Sequence, residues 1–150
     1  MLTRFFMEVK MIKDKNAKTL GRVYEVEDVI RRKEFESELK EVEIQLSVNK
    51  NEISLYLTKA LLEMMLGMAE MSIESVKQAL LIDETALFGW YLLGCGYFET
   101  GRYVQAKDSF EKALTMEIDP KYKFPYDLVI KDILSKLQYL SSIRLNEEEK

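Results

Sequence analysis

The stretch from Trp90 to Pro120, WYLLGCGYFETGRYVQAKDSFEKALTMEIDP, carries landmarks at helical spacing from which the rest of the chain can be read. Trp90, Leu93, Gly94 and Tyr97 fall within two turns, Gly101 interrupts the run, and Ala106, Phe110 and Ala113 recur before Asp119-Pro120. Leu93 and Tyr97 share one face, one turn apart. Gly94 and Ala106 are small where two helix backbones must approach closely, and Trp90 offers a large apolar body for the core between adjacent units. Gly101 permits a turn and Pro120 stops the second helix. The spacing predicts two helices folded back on each other.

Composition bounds the rest. A chain of 150 residues, 47% hydrophobic and 32% charged, is long enough for one domain with a sizeable core. The net charge of -4, with 22 basic side chains interspersed among 26 acidic ones, argues against a nucleic-acid partner, which needs a concentrated basic surface. No histidine and a single cysteine, Cys95, remove a disulfide framework and the usual zinc ligand sets, so neither metal nor cofactor is expected. The longest charge-free run, residues 85–98, is too short to span a bilayer and holds three glycines. Near the N-terminus Glu8 and Lys10 interrupt the apolar run after Arg4 before a signal-peptide core can form. No membrane association and a cytoplasmic address are the expectations.

Walking backwards from the opening stretch in steps of 34 residues gives windows 19–52, 53–86 and 87–122. Val42, Val76 and Phe110 then share a column, as do Leu46, Leu80 and Leu114, and Val48, Ile82 and Met116; Gly67 stands one period before Gly101. In the middle window Tyr56, Lys59 and Ala60 replace Trp90, Leu93 and Gly94, and in the first window Arg22, Glu25 and Val26 stand there. Phe35, Leu39, Val42 and Leu46 follow a helical period, which makes residues 35–48 the second helix of the first window. Val42, Ile44, Leu46 and Val48 also alternate, and Val23 to Val29 could pair with Phe5 to Met11 as a β-hairpin, so an α+β chain stays open as an alternative. The displacement of Pro120 by two residues predicts a longer second helix in the third window. Pro125 suits a helix start, and Val129, Ile130, Ile133, Leu134, Leu137 and Leu140 form an apolar stripe over 125–144. Residues 1–18, ending in KDKNAK, read as an arm, and 145–150 as a frayed polar tail. Seven helices are expected, or eight if residues 2–12 are helical.

The landmarks at 87–122 and the 34-residue register resemble the tetratricopeptide repeat, a helix-turn-helix unit. The resemblance implies an all-α fold: a TPR-like array of helical hairpins, an alpha-alpha superhelix, closed by residues 125–144 as a capping helix. It assigns repeat packing to Trp90, Leu93, Gly94, Tyr97, Ala106, Phe110 and Ala113. It also implies that the first helix of each repeat lines a concave groove for a peptide or partner helix. By matching offsets, that groove is lined by Leu20, Val23, Glu27 and Ile30, then Ser54, Leu57, Leu61 and Met64, then Phe88, Tyr91, Cys95 and Phe98. Family members that clamp the acidic tails of heat-shock chaperones carry Lys, Asn and Arg in the groove. The matching positions here are Val23, Glu27, Thr58, Phe88 and Leu92, so this clamp is absent.

Catalysis finds no foothold in the residues. There is no histidine to act as base, Cys95 has no nearby basic residue in sequence to activate it, and Gly94-Cys95-Gly96 follows no strand that would make it a phosphate loop. The expectation is a non-enzymatic interaction module, adaptor or chaperone-like, with a protein or peptide partner. The alternatives are a structural homo-oligomer subunit, such as a homodimer, and the α+β protein with a functional hairpin. A bare apolar groove in water invites a cover. Three are available: the chain's own arm through Phe5, Phe6 and Val9, a second copy, or a helix from another protein. Met64, Met65, Met68 and Met71 read either as an adaptable surface or as core filler.

Overall fold

Two glycines at left-handed φ set the turns of the fold. Gly67 has φ 77° and Gly101 φ 76°, a conformation that costs other residues a Cβ clash and glycine none. Both close the same motif. Gly67 N–H donates to Met64 O at 3.1 Å and Met68 N–H to Glu63 O at 2.8 Å, while Gly101 N–H donates to Phe98 O at 3.2 Å and Arg102 N–H to Tyr97 O at 2.8 Å. The 34-residue register thus recurs in individual hydrogen bonds.

A computed structural model describes residues 23–119 and 125–143, and among them the chain is all-α. The helices are α1 (Val23–Val48), α2 (Ile53–Met65), α3 (Ala69–Ile82), α4 (Leu87–Glu99), α5 (Tyr103–Thr115) and α6 (Tyr126–Ser142). α2–α3 and α4–α5 are antiparallel hairpins, α1 packs on α2, and α6 closes the array against α4 and α5. The arm 1–18, Leu20, Arg22, Pro120 and the tail 145–150 lie outside the described residues.

Three expectations are corrected. Window 19–52 contributes one unbroken 26-residue helix from Val23, not a second helix beginning at Phe35, because VYEVEDVIRRKEFESELKEVEIQLSV contains no glycine or proline to turn it. Val23 to Val29 is therefore helical and cannot be the strand of a hairpin; its supposed partner, Phe5 to Met11, lies outside the described residues. The second helix of the third window is not lengthened: α5 has 13 residues against 14 in α3, and the backbone leaves it at Met116 with ψ 144°. Residues 117–119 follow as non-helical chain.

Helical period, not alternation, decides α1. Phe35, Leu39 and Val42 are buried against Leu62 and Leu66 of the next helix and its turn, with Leu46, Leu55, Met65 and Met68 around them. Met64, Met65 and Met68 fill gaps in the core, whereas Met71 is about half exposed.

Around α4 the packing is closest. A β-carbon on Gly94 would stand 2.6 Å from the ring of Phe110, and one on Gly96 would stand 2.6 Å from Ile73 Cγ1, so the backbone of α4 touches α3 and α5 directly. Ala106, Phe110 and Ala113 are fully buried, Leu93 is buried, and Tyr97 is half-buried. Trp90 is half-buried as well, not the enclosed wedge its landmark position suggests. Its indole N–H donates to Glu84 O at 2.8 Å, and Lys112 Nζ lies 5.7 Å from its ring centroid.

Gly94→Ala will cost about 1–3 kcal/mol, since the added methyl meets an aromatic ring enclosed on every side. Urea titration followed by circular dichroism measures it. A loss within about 0.5 kcal/mol would mean that Phe110 yields and that the seam is not tight.

Candidate functional site

The face expected to line a groove is assembled by α2 and α4. Leu57 and Leu61 of α2 join Phe88, Tyr91 and Cys95 of α4 in one cluster, each at most 9% exposed, with Met64 and Phe98 half-buried at its margin. Ile30 and Ser54 do not join it, and the side chains of Val23 and Glu27 lie outside the description. The seven positions expected to line the groove on α2 and α4 are therefore brought together, but as core, not as an open trough.

Part of the reason is α6. Tyr91 meets Asp132 and, two turns further along each helix, Phe98 meets Tyr139, so α6 runs parallel to α4. The Tyr91 hydroxyl donates to Asp132 Oδ2 at 2.6 Å, and Lys136 Nζ donates to the same oxygen at 2.5 Å. The Phe98 and Tyr139 rings stand edge to face at 5.7 Å, and Lys136 Nζ lies 5.9 Å from the Phe98 centroid. Val129, Ile133 and Leu140 supply the fully buried part of α6. The chain's own capping helix thus lies over this end of the face, a cover that is neither the arm, a second copy nor a foreign helix.

Burial keeps the Cys95 thiol and the Tyr91 phenol protonated. Burial pushes the Cys95 thiol up to about 12; Lys136 opposes this and Asp132 adds to it. Burial, with Cys95 and Asp132 beside it, also pushes the Tyr91 phenol well above its ordinary range, so it acts as an O–H donor. A protonated, enclosed thiol is no nucleophile.

A second polar cluster lies inside α2–α3. Glu63 is fully buried, accepts from Ser75 Oγ and faces Lys59 Nζ at 3.5 Å, while Lys59 Nζ donates to Ser75 Oγ at 3.1 Å. Ser72 Oγ donates to Ala60 O at 2.7 Å nearby. Lys59 and Glu63 stand where the third window has Leu93 and Tyr97. Neither network was identified from sequence, yet both carry a signal: Lys59 with Glu63, and Asp132 with Lys136, are opposite charges four apart on a helix.

Among the positions of the acidic-tail clamp, Phe88 and Leu92 are buried and Thr58 is half-buried. No helix among the described residues is long and apolar enough to cross a membrane.

Two parallel-running hairpins with a closing helix define a helical-repeat protein. Residues 87–120 match the tetratricopeptide repeat family. Its fold is similar to the Sgt2 TPR domain from Aspergillus fumigatus, at 19% identity and TM-score 0.61 over 79% of this chain and 76% of that one. It is also similar to the second TPR domain of human RPAP3, solved in complex with the HSP70 peptide SGPTIEEVD, at 17% identity and TM-score 0.58 over 79% of this chain and 95% of that one. No curated protein matches the sequence.

The raised thiol has a pH signature. An unfolded chain ionises Cys95 near 9 and the folded chain near 12, so its contribution is complete below the lower value and is lost as pH rises toward the upper one. Wild type will lose more stability than Cys95→Ala between about pH 9 and pH 11. Parallel losses in urea titrations at those two pH values would show that the thiol is not enclosed.

Proposed function

We propose that the chain is a non-enzymatic protein-interaction module, an adaptor or chaperone-like protein that binds a partner's peptide or helix on the α2–α4 face. The observation that supports this most is the character of that face. Leu57, Leu61, Phe88 and Tyr91 are apolar or amphipathic and form one continuous cluster, with Met64 and Phe98 half-buried at its margin. Such a face selects an amphipathic helix or an apolar peptide over a polyanionic tail. Buried, protonated Cys95 and the absence of histidine from the chain leave no group suited to nucleophilic or base catalysis there. A cytoplasmic address belongs to this proposal and rests on composition.

The RPAP3 domain is seen with an acidic peptide, and the contrast makes the test. Labelled SGPTIEEVD will show no saturable binding to this chain in fluorescence polarisation at micromolar concentrations, because Thr58, Phe88 and Leu92 offer a carboxylate no cation. A partner co-purified with the wild type will be lost from Met64→Glu with the helical content unchanged. Salt-sensitive binding of the acidic peptide, or retention of the partner by Met64→Glu, would overturn the reading.

A homo-oligomer is the second reading, favoured by Leu128, Leu134 and Tyr139, each about half exposed on α6. Sedimentation equilibrium discriminates. A dimer that Leu134→Lys converts to monomer would support this reading, and a monomer at every concentration would remove it.

A further inference from the structure

We infer that α6 is a reversible cover: it lifts from α4 as a unit while the two hairpins stay folded, and so opens the Tyr91–Cys95–Phe98 face to a partner helix. Its bonding differs in kind from that inside the hairpins. α4 and α5 meet backbone to ring at Gly94 and Phe110, a seam that cannot part without opening the core. The contact of α6 with α4 is centred on Asp132, 8% exposed, which Tyr91 and Lys136 hold together. A charge pair withdrawn from water returns most of its attraction as desolvation cost, so it fixes register far more than it adds stability. The outer side of α6 adds little, since Leu128 and Leu134 remain about half exposed. Val129, Ile133 and Leu140 are enclosed by the array, but α6 is the last described helix and packs chiefly on α4 and α5, so it opens at lower free energy than helices flanked on both sides.

The same geometry describes what could replace it. Once α6 leaves, the buried-side hydroxyl of Tyr91 needs an acceptor and its ring needs apolar cover. In α6 these come from Asp132, flanked by Val129 three residues before and Ile133 one after. A partner helix that presents a carboxylate between aliphatic side chains at those offsets satisfies both. That clause about the partner rests on the interaction reading above; the opening does not.

Cys95 is the sole cysteine of the chain and sits on the covered face, so it reports the opening directly. Labelling of the full chain by an aromatic disulfide reagent is followed at low urea and set beside global unfolding measured by circular dichroism. The expected result is a labelling rate with a clearly weaker urea dependence than global unfolding, raised about tenfold in Asp132→Asn with the unfolding midpoint little changed. Labelling that tracks global unfolding in both free energy and urea slope would overturn the proposal. Amide exchange on the unmodified chain gives a reading free of any variant. Amides of α6 exchanging at least about tenfold faster than those of α4 and α5 support the cover, and equal protection sinks it. Neither measurement contains a partner, so failure of the interaction reading would leave both results unchanged.

Discussion

The ring of Phe110 occupies the place where residue 94 would carry a β-carbon, and the rest of the array depends on that contact. Because the α4 backbone lies directly on an aromatic ring, α5 approaches closely enough to bury Ala106 and Ala113 completely. Gly96 lets Ile73 make the corresponding approach from α3. One helix with small residues on two sides is thereby held by its neighbours at both. The mean hydropathy of α4 is high for this reason: nearly every side is an interface, and no broad polar face is left.

Turns and seams were legible in the sequence because they depend on residues that have few alternatives. Gly67 and Gly101 are one period apart and make identical capping bonds, and Ala60 and Gly94 mark the close approaches. The start of the chain was less legible. The window from 19 to 52 was read through the repeat, whereas the absence of any breaker between Val23 and Val48 was the stronger local fact. The β alternative arose because Val42, Ile44, Leu46 and Val48 satisfy two periods at once; burial of Phe35, Leu39 and Val42 with Ile44 and Val48 exposed selects the helical one.

Where the face of α2 and α4 ends up could not be read from those two helices. Matching offsets place Tyr91, Cys95 and Phe98 on a common side, but their exposure is decided by a helix some forty residues later. Asp132 and Lys136 interrupt the apolar stripe of α6 at the positions that meet α4, and stripe counting passes over such interruptions. Lys59 and Glu63 escaped for a related reason. They appear as departures from the repeat, yet each makes a polar contact within the same hairpin, with Ser75 as the third member. Departures from a repeat pattern are informative when they come in complementary pairs.

The two turn glycines have one more consequence, and it concerns chirality. A β-carbon built on Gly67 or Gly101 would find nothing within 4 Å, so neither turn lacks room for a side chain. What excludes other residues there is handedness: a φ near +77° is strained for an L-amino acid and relaxed for its mirror image. A D-alanine introduced by chemical synthesis at either position fits the native turn without strain and restricts the unfolded chain, which glycine leaves free. The array would accept the inverted stereocentre at these two turns and gain rigidity from it.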